Sequence, residues 1–414
     1  MTDAASVAPS DRTIDSWLRE HVEGLVAFRR QLHAHPELSG EEAATTEFIS
    51  ERLSLAGIPA RRLSSGTGLI ADLLPNTGVL SETDGSRSAV LAIRSDIDAL
   101  AMDDEKDVPY RSQVPGVAHA CGHDVHTAIG LGTALYFAHH RDDLPGPLRI
   151  LFQPAEERVP GGALDVLRDG GLDGVGAVVG VHCEPKMEVG RIGLRSGPIS
   201  SAADMVCISL HGPGGHTARP ELTADLITIG ARIVAEVPAL VAAQLPDPTQ
   251  VRVVFGAIHG GDAANVIPAR LDLRAAVRSP VAEVWERLPQ LVTRAVDTVM
   301  ESAGIEGTGA IHEVDYTHGV PPVVNDAEVT DTVRRAARTE FGEAALYEAV
   351  QSWGGDDFAW LSREVPASYV RLGVHDPATT ERVDLHAGHF DVDERAIGLG
   401  VRLMVATVRE HFAA

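Results

Sequence analysis

The run ADMVCISLHG, residues 203–212, is where the pattern of this chain changes, and the order of elements after it decides the fold. Apolar residues recur in it at every second position, as on a half-buried strand. After it come a helical pattern over 223–237, strand patterns in VRVVFGAIHG (251–260) and ARLDLRAAVRS (269–279), a helix over 282–302 and a last strand in GAIHEVDYTHG (309–319). That is the β-α-β-β-α-β order of a ferredoxin-like unit, a self-contained domain of roughly a hundred residues.

On both sides of this unit the pattern is different. AVLAIRSD (89–96), PLRILFQP (147–154), GAVVGVHC (176–183) and SYVRLGV (368–374) are short, almost continuously apolar runs, as expected of strands buried on both faces. Helical patterns separate them: one capped near Ser16 and running to residue 33, then 41–56, 125–139, 328–341 and 394–411, with a Gly-rich turn at 353–355. The polar segment 77–88 reads as an exposed loop between strands. The expected architecture is therefore an α/β catalytic domain (1–199 and 319–414) interrupted by an α+β insertion (200–318).

A chain of 414 residues is long enough for two cores. Its formal charge of −24 would repel nucleic acid and anionic membrane surfaces, so neither is expected as a partner. Cys121, Cys183 and Cys207, an odd number far apart, give no disulfide framework and point to a reducing compartment. The first twenty residues lack the basic head and apolar core of a signal peptide, and the most apolar long run, 226–245, is interrupted by Arg232 and Glu236. A soluble cytoplasmic protein is the expectation.

The chemistry concentrates at strand ends. HACGHDVH (119–126) packs a thiol, three imidazoles and a carboxylate into eight residues, a density that nominates a transition-metal site. Cys121 and His123 flank Gly122 at the entrance of a helix, and His126 follows about one turn later, to support the ligands or face solvent. Glu156 and Glu157 in QPAEE (153–157) stand at the end of an apolar strand, where side-chain alternation points their carboxylates in different directions, so that one can bind metal while its neighbour faces the substrate. His182 in GVHCEP (180–185) and His386 or His389 in DLHAGH (384–389) are further donors. A thiolate with imidazoles and carboxylate suits zinc, manganese, cobalt or nickel rather than magnesium or calcium. In the insertion, His216 lies on the Gly-rich loop of LHGPGGHTARP (210–220), where an imidazole could donate to an oxyanion, and Asn265 and Arg278 suit a substrate carboxylate.

Eight stretches, LHAHPELSGEE, IRSDIDALAM, HACGHDVHT, LFQPAEE, GVHCEP, GPGGHTARP, GGDAANVIP and DLHAGHFDVDE, occur in an order that resembles the M20 metallopeptidase superfamily. Within it the chain is similar to the amidohydrolase branch of aminoacylases, hippurate hydrolases and auxin-conjugate hydrolases. The resemblance implies a mixed-sheet, zinc-peptidase-like catalytic domain with an inserted lid that also mediates dimerisation. It further implies that Cys121, His123, Glu157, His182 and His386 hold a pair of divalent metal ions, zinc or manganese foremost, that Glu156 is the general acid/base, that Asp96 supports the ligands from behind, and that His216, Asn265 and Arg278 meet the substrate. In relatives the lid histidine can reach the neighbouring subunit's active site. The chain departs from the family pattern at Ala99-Leu100-Ala101, where proline usually closes the triplet, and at Asp356, where glutamate is usual. The implied activity is hydrolysis of the amide of a small N-acyl amino acid, with a dipeptidase or carboxypeptidase as the alternative within the enzyme class and a catalytically decayed metal-binding scaffold outside it.

Overall fold

The computed structural model describes residues 9–76, 90–305 and 307–413, so the polar 77–88 segment lies outside the described residues. The chain forms two compact units, one built from residues up to 197 with 324–350 and 357–414, the other from 198–323 with 351–356.

The first unit is built on an eight-stranded mixed sheet in the spatial order Ala60–Arg62, Leu69–Leu73, Leu148–Gln153, Val90–Asp96, Val175–Glu188, Ala367–His375, Ile192–Leu194, Leu346–Glu348. Its four central strands are mutually parallel, while Leu69–Leu73 runs antiparallel to Leu148–Gln153. The central strands are buried along almost their whole length, which is why their sequences read as unbroken apolar runs. Helices Pro9–Ala34, His123–His139, Ala327–Phe341 and Arg395–Ala413 contribute to one continuous core with the sheet.

The first helix does not begin at Ser16. Ile14, Trp17, Leu18, Leu25, Phe28 and Leu32 form a buried stripe at helical spacing that passes straight through that position, and the helix already runs from Pro9.

The second unit is a four-stranded antiparallel sheet with Ala203–His211 between Arg270–Arg278 and Ile311–Val320, and with Arg252–His259 on the outer side of Arg270–Arg278. Helices Leu226–Ala242 and Leu288–Glu301 bury Leu226, Ile233, Leu291 and Val296, and Val206, Ile208, Leu210, Leu271 and Leu273 are buried on the strands. The expected helix over 282–302 is two helices, Ala282–Trp285 and Leu288–Glu301, because Pro289 has no N–H to continue the ladder and occupies a first turn instead. Pro238, by contrast, is carried inside Leu226–Ala242, which extends past the expected end at Val237. The Gly-rich turn around Trp353 groups with this unit rather than with the sheet that precedes it in sequence.

Candidate metal centre and active site

The donor residues gather where the parallel strands of the first unit end, the usual place for a site on an open α/β sheet. Asp96 is the last residue of Val90–Asp96, and His182 lies two residues beyond Gly180, the last partner of that strand. Cys121 and His123 come from the turn into helix His123–His139, and Gly122 between them is dictated by geometry. Its φ is +88°, and a Cβ there would stand 2.7 Å from Cys183 Sγ.

Glu156 and Glu157 lie beyond the strand, not on it. The strand ends at Gln153, Pro154 follows, and Ala155 turns the backbone with a left-handed φ of 54°. The alternation expected of two strand residues is lost, and both carboxylates approach the same imidazole: Glu156 Oε2 and Glu157 Oε1 are each 3.9 Å from His123 Nε2.

The donor atoms fall into overlapping groups, each with all its atoms within 4.8 Å of one another, among them Cys121, His123 and His182; Cys121, Glu157 and His386; His123, Glu156 and Glu157; and Asp96, His123 and His126. His386 Nε2 is 3.2 Å from Glu157 Oε1, whereas His389 is turned to Glu105 at 3.1 Å, so it is His386 that joins the cluster.

A hydrogen bond at Nδ1 orients each of His123 and His182 and turns its Nε2 toward the cluster. His123 Nδ1 lies 3.0 Å from Asp98 Oδ1 and donates there, leaving Nε2 buried without a hydrogen-bond partner. His182 Nδ1 donates to its neighbour's carbonyl, Cys183 O, at 2.7 Å, which turns Nε2 toward Cys121 Sγ at 3.5 Å. Glu157 Oε1 is likewise buried, with the ion-pair contact to His386 Nε2 at 3.2 Å but no well-aligned hydrogen bond. Unpaired buried donors and acceptors of this kind are costly, and a divalent ion that accepts their lone pairs resolves the cost. The residues present therefore fit a metal.

Electrostatics point the same way. Burial pushes the His123 imidazole down, but Asp96, Cys121 and Asp98 hold it well above its usual range, so without metal it carries a proton. Burial lifts the Cys121 thiol well above its ordinary value. Burial and the nearby Arg371 cation keep His182 neutral, well below the usual imidazole range. Contact with the Glu157 carboxylate raises His386. A bound cation would replace the proton on His123 and draw the thiol to thiolate.

His126 is a supporting residue. Its Nδ1 donates to Asp96 Oδ1 at 2.6 Å and its Nε2 accepts the Cys183 N–H at 2.9 Å, fixing the backbone next to His182. Burial disfavours the Asp96 carboxylate, yet Arg94, His123 and His126 together pull it well below the carboxylate range.

Several supporting residues escaped the sequence reading. Asp98 orients His123 with one oxygen and with the other accepts the Glu157 N–H (2.9 Å) and the Ser39 hydroxyl (2.7 Å). Its only signal is the spacing Asp96-Ile97-Asp98. Arg94, fully buried, donates to Asp96, to Gln153 Oε1 (2.9 Å) and to Asp357 Oδ1 (2.8 Å). Replacing Asp357 by alanine would remove a buried ion-pair partner of Arg94 and the short acceptors of Gln153 Nε2, and we expect a loss of about 3–5 kcal/mol, measured as a urea-midpoint shift.

In the second unit, His216 lies in a short ribbon with Val266 as its strand partner, and Thr217 N–H donates to Asn265 O at 3.2 Å, so His216 and Asn265 are neighbours. His216 Nδ1 accepts the Ala218 N–H at 3.0 Å, which leaves Nε2–H as a donor on an exposed ring. Arg278 is not with them. It is half-buried at the far end of strand Arg270–Arg278, with Nη1 donating to Trp353 O at 2.8 Å.

A mixed α/β sheet with thiol, imidazole and carboxylate donors assembled at one edge is the framework of a zinc-peptidase-like hydrolase. The chain belongs to Peptidase family M20/M25/M40, which it matches over residues 92–410. The YXEP protein of Bacillus subtilis, described as a dinuclear metal binding peptidase from the M20 family, superposes with a TM-score of 0.80 at 30% identity, covering 96% of this chain and 99% of that one. An N-acyl-L-amino acid amidohydrolase of Geobacillus stearothermophilus is 39% identical over 302 residues, 73% of this chain and 78% of the relative. A Rhodococcus jostii protein bearing a glutamate–cysteine ligase name is 41% identical over 385 residues, which is 93% of this chain but only 46% of that relative's length.

Proposed function

We propose that the protein is a metal-dependent amidohydrolase that cleaves small N-acyl amino acids to a carboxylic acid and a free amino acid. The observation that supports this reading is a pair of donor groups sharing Cys121, one with His123 and His182 and the other with Glu157 and His386, with His123 Nε2 buried and without a hydrogen-bond partner. Those five residues would hold two divalent ions, zinc or manganese foremost and cobalt or nickel as substitutes. When bound, the ions supply Lewis acidity and make a water nucleophilic at neutral pH.

Glu156 is the group placed to manage the proton. Its carboxylate accepts the proton of the attacking water and later delivers it to the leaving amine. Asp98 and Asp96 hold His123 and His126 in fixed orientations, so the donor set does not reorganise during the reaction. His216 Nε2–H would donate to the tetrahedral oxyanion, while Asn265 and Arg278 would recognise substrate polar groups. The amino-acid amidohydrolase relative supports N-acyl amino acids as the substrate class. None of the described helices is long and apolar enough to cross a membrane. We propose a cytoplasmic enzyme that forms a homodimer through the second unit.

The test is amine release from N-acetyl, N-benzoyl and long-chain N-acyl amino acids beside plain dipeptides, with metal-stripped protein and with zinc or manganese restored. Stripping is expected to lower turnover at least a hundredfold, and restoration to recover it. Preference for dipeptides would move the protein to the peptidase side of its family, and tight metal binding without cleavage would make it a scaffold.

A further inference from the structure

The segment ELSGEE, residues 37–42, contributes no group to the donor cluster, yet it grips both loops that do. Ala99 N–H donates to Glu37 O at 2.9 Å, and the Ser39 hydroxyl donates to Asp98 Oδ2 at 2.7 Å. On the other side Glu42, 0% exposed, accepts two backbone N–H groups on a single oxygen: Gly40 at 2.7 Å and Ala155 at 2.8 Å. Burial makes the charged form of this carboxylate unfavourable, and its second oxygen has no hydrogen-bond partner. A dry, half-satisfied acid is an expensive way to fill space, and an apolar side chain would pack there at lower cost.

What the acid holds explains its presence. Among the described residues only two that are not glycine adopt a left-handed φ, Ala155 at 54° and His386 at 60°, and both belong to this site. Strained backbone persists where surrounding contacts over-determine it. Ala155 is 1% exposed, its N–H is held by Glu42, and its carbonyl accepts the Gly162 N–H at 3.0 Å. One residue later the chain delivers Glu156, and the following N–H, that of Glu157, is fixed on Asp98.

We infer that Glu42 is a positioning residue: by holding the Ala155 N–H it keeps the 154–157 turn left-handed and thereby aims the Glu156 and Glu157 carboxylates together at His123 Nε2. An extended Ala155 would restore strand alternation and send the two carboxylates apart. The inference rests on the metal-hydrolase reading above, because aiming has a consequence only if Glu157 binds metal and Glu156 moves a proton.

The experiment titrates metal-stripped wild type, Glu42→Ala and Glu42→Gln with zinc or manganese, then measures kcat and KM of the reloaded proteins, all well below each protein's own melting temperature. Glu42→Gln keeps an oxygen for both N–H groups and is expected within about threefold of wild type in metal Kd and kcat. Glu42→Ala is expected to bind metal at least tenfold more weakly and, at saturating metal, to lose at least tenfold in kcat with KM changed less than about threefold. A purely structural Glu42 predicts a lower melting temperature for Glu42→Ala with wild-type Kd and kcat in the folded protein, and that result overturns the inference. Should Glu42→Ala not fold, Glu42→Asp carries the same comparison: one methylene short, it loses the Ala155 N–H, and wild-type values there also overturn the inference. If wild type itself neither binds metal nor cleaves, the hydrolase reading fails and this inference with it. If wild type does both and Glu42→Ala matches it, only the inference falls.

Discussion

Glu156→Gln is expected to lower kcat on an N-acyl amino acid about a thousandfold while leaving the metal content of the protein unchanged. Glutamine keeps the length and planarity of the side chain but cannot take a proton from water or return one to the departing amine. The loss corresponds to about 4 kcal/mol of transition-state stabilisation. Metal content should hold because Cys121, His123, Glu157, His182 and His386 form a donor set without it. Measuring turnover and metal stoichiometry on the same preparation separates the roles. Loss of one equivalent of metal would move Glu156 into the ligand set, and near-normal turnover would remove it from catalysis. The contrast with Glu157 is instructive, since the two acids are adjacent in sequence and equidistant from His123 Nε2. Glu157 also contacts His386 and has its backbone N–H on Asp98, so Glu157→Gln is expected to weaken metal binding first and turnover as a consequence.

How far such a site is legible in a sequence depends on what each residue needs. The parallel strands are legible because burial on both faces demands continuous apolar runs, as in AVLAIRSD and GAVVGVHC. The ferredoxin-like unit is legible for the opposite reason: its strands bury alternate residues, and Ala203–His211 shows that alternation almost without fault. Cys121 and His123 announce themselves through composition, a thiol beside imidazoles in a chain with three cysteines. The misreadings at the site share one cause, which is that local pattern carries no information about distant partners. The left-handed turn at Ala155 depends on Glu42, more than a hundred residues upstream, so an alanine in an ordinary-looking loop hides the reversal that brings Glu156 and Glu157 together. Arg94 has Asp96 beside it in its own strand, but its second counter-charge cannot be seen there, because Asp357 reaches it from far along the chain. Ser16 is a good cap in isolation, and is overruled by the stripe of Ile14, Trp17 and Leu18 that buries the helix on either side of it.

A mixture of two inactive variants is expected to recover activity. In the second unit His216 and Asn265 lie beyond the Arg270 end of strand Arg270–Arg278, and Arg278 is its last residue at the other end. Eight residues of extended chain span roughly 26 Å, whereas an N-acyl amino acid is on the order of 10 Å long, so one small substrate cannot meet both ends of a single unit. If all three residues serve one substrate, one of the two ends must act in a neighbouring subunit's site of the proposed homodimer, and the mixture tests whether it is the histidine end. His216→Ala alone is expected to lose about a hundredfold in kcat, the usual consequence of deleting an oxyanion donor. Glu156→Gln is nearly inactive for the reason above. On the proposed homodimer with the histidine serving its neighbour, co-refolding in equal amounts would give heterodimers in which one site draws an intact Glu156 from one chain and an intact His216 from the other. Random pairing makes half the dimers mixed, with one competent site in each, so about a quarter of wild-type turnover should return. A histidine that serves its own chain predicts none, since every site in the mixture would then lack either Glu156 or His216. Turnover at the level of the separate variants, in a mixture shown by mass spectrometry to contain heterodimers, would therefore assign His216 to its own subunit.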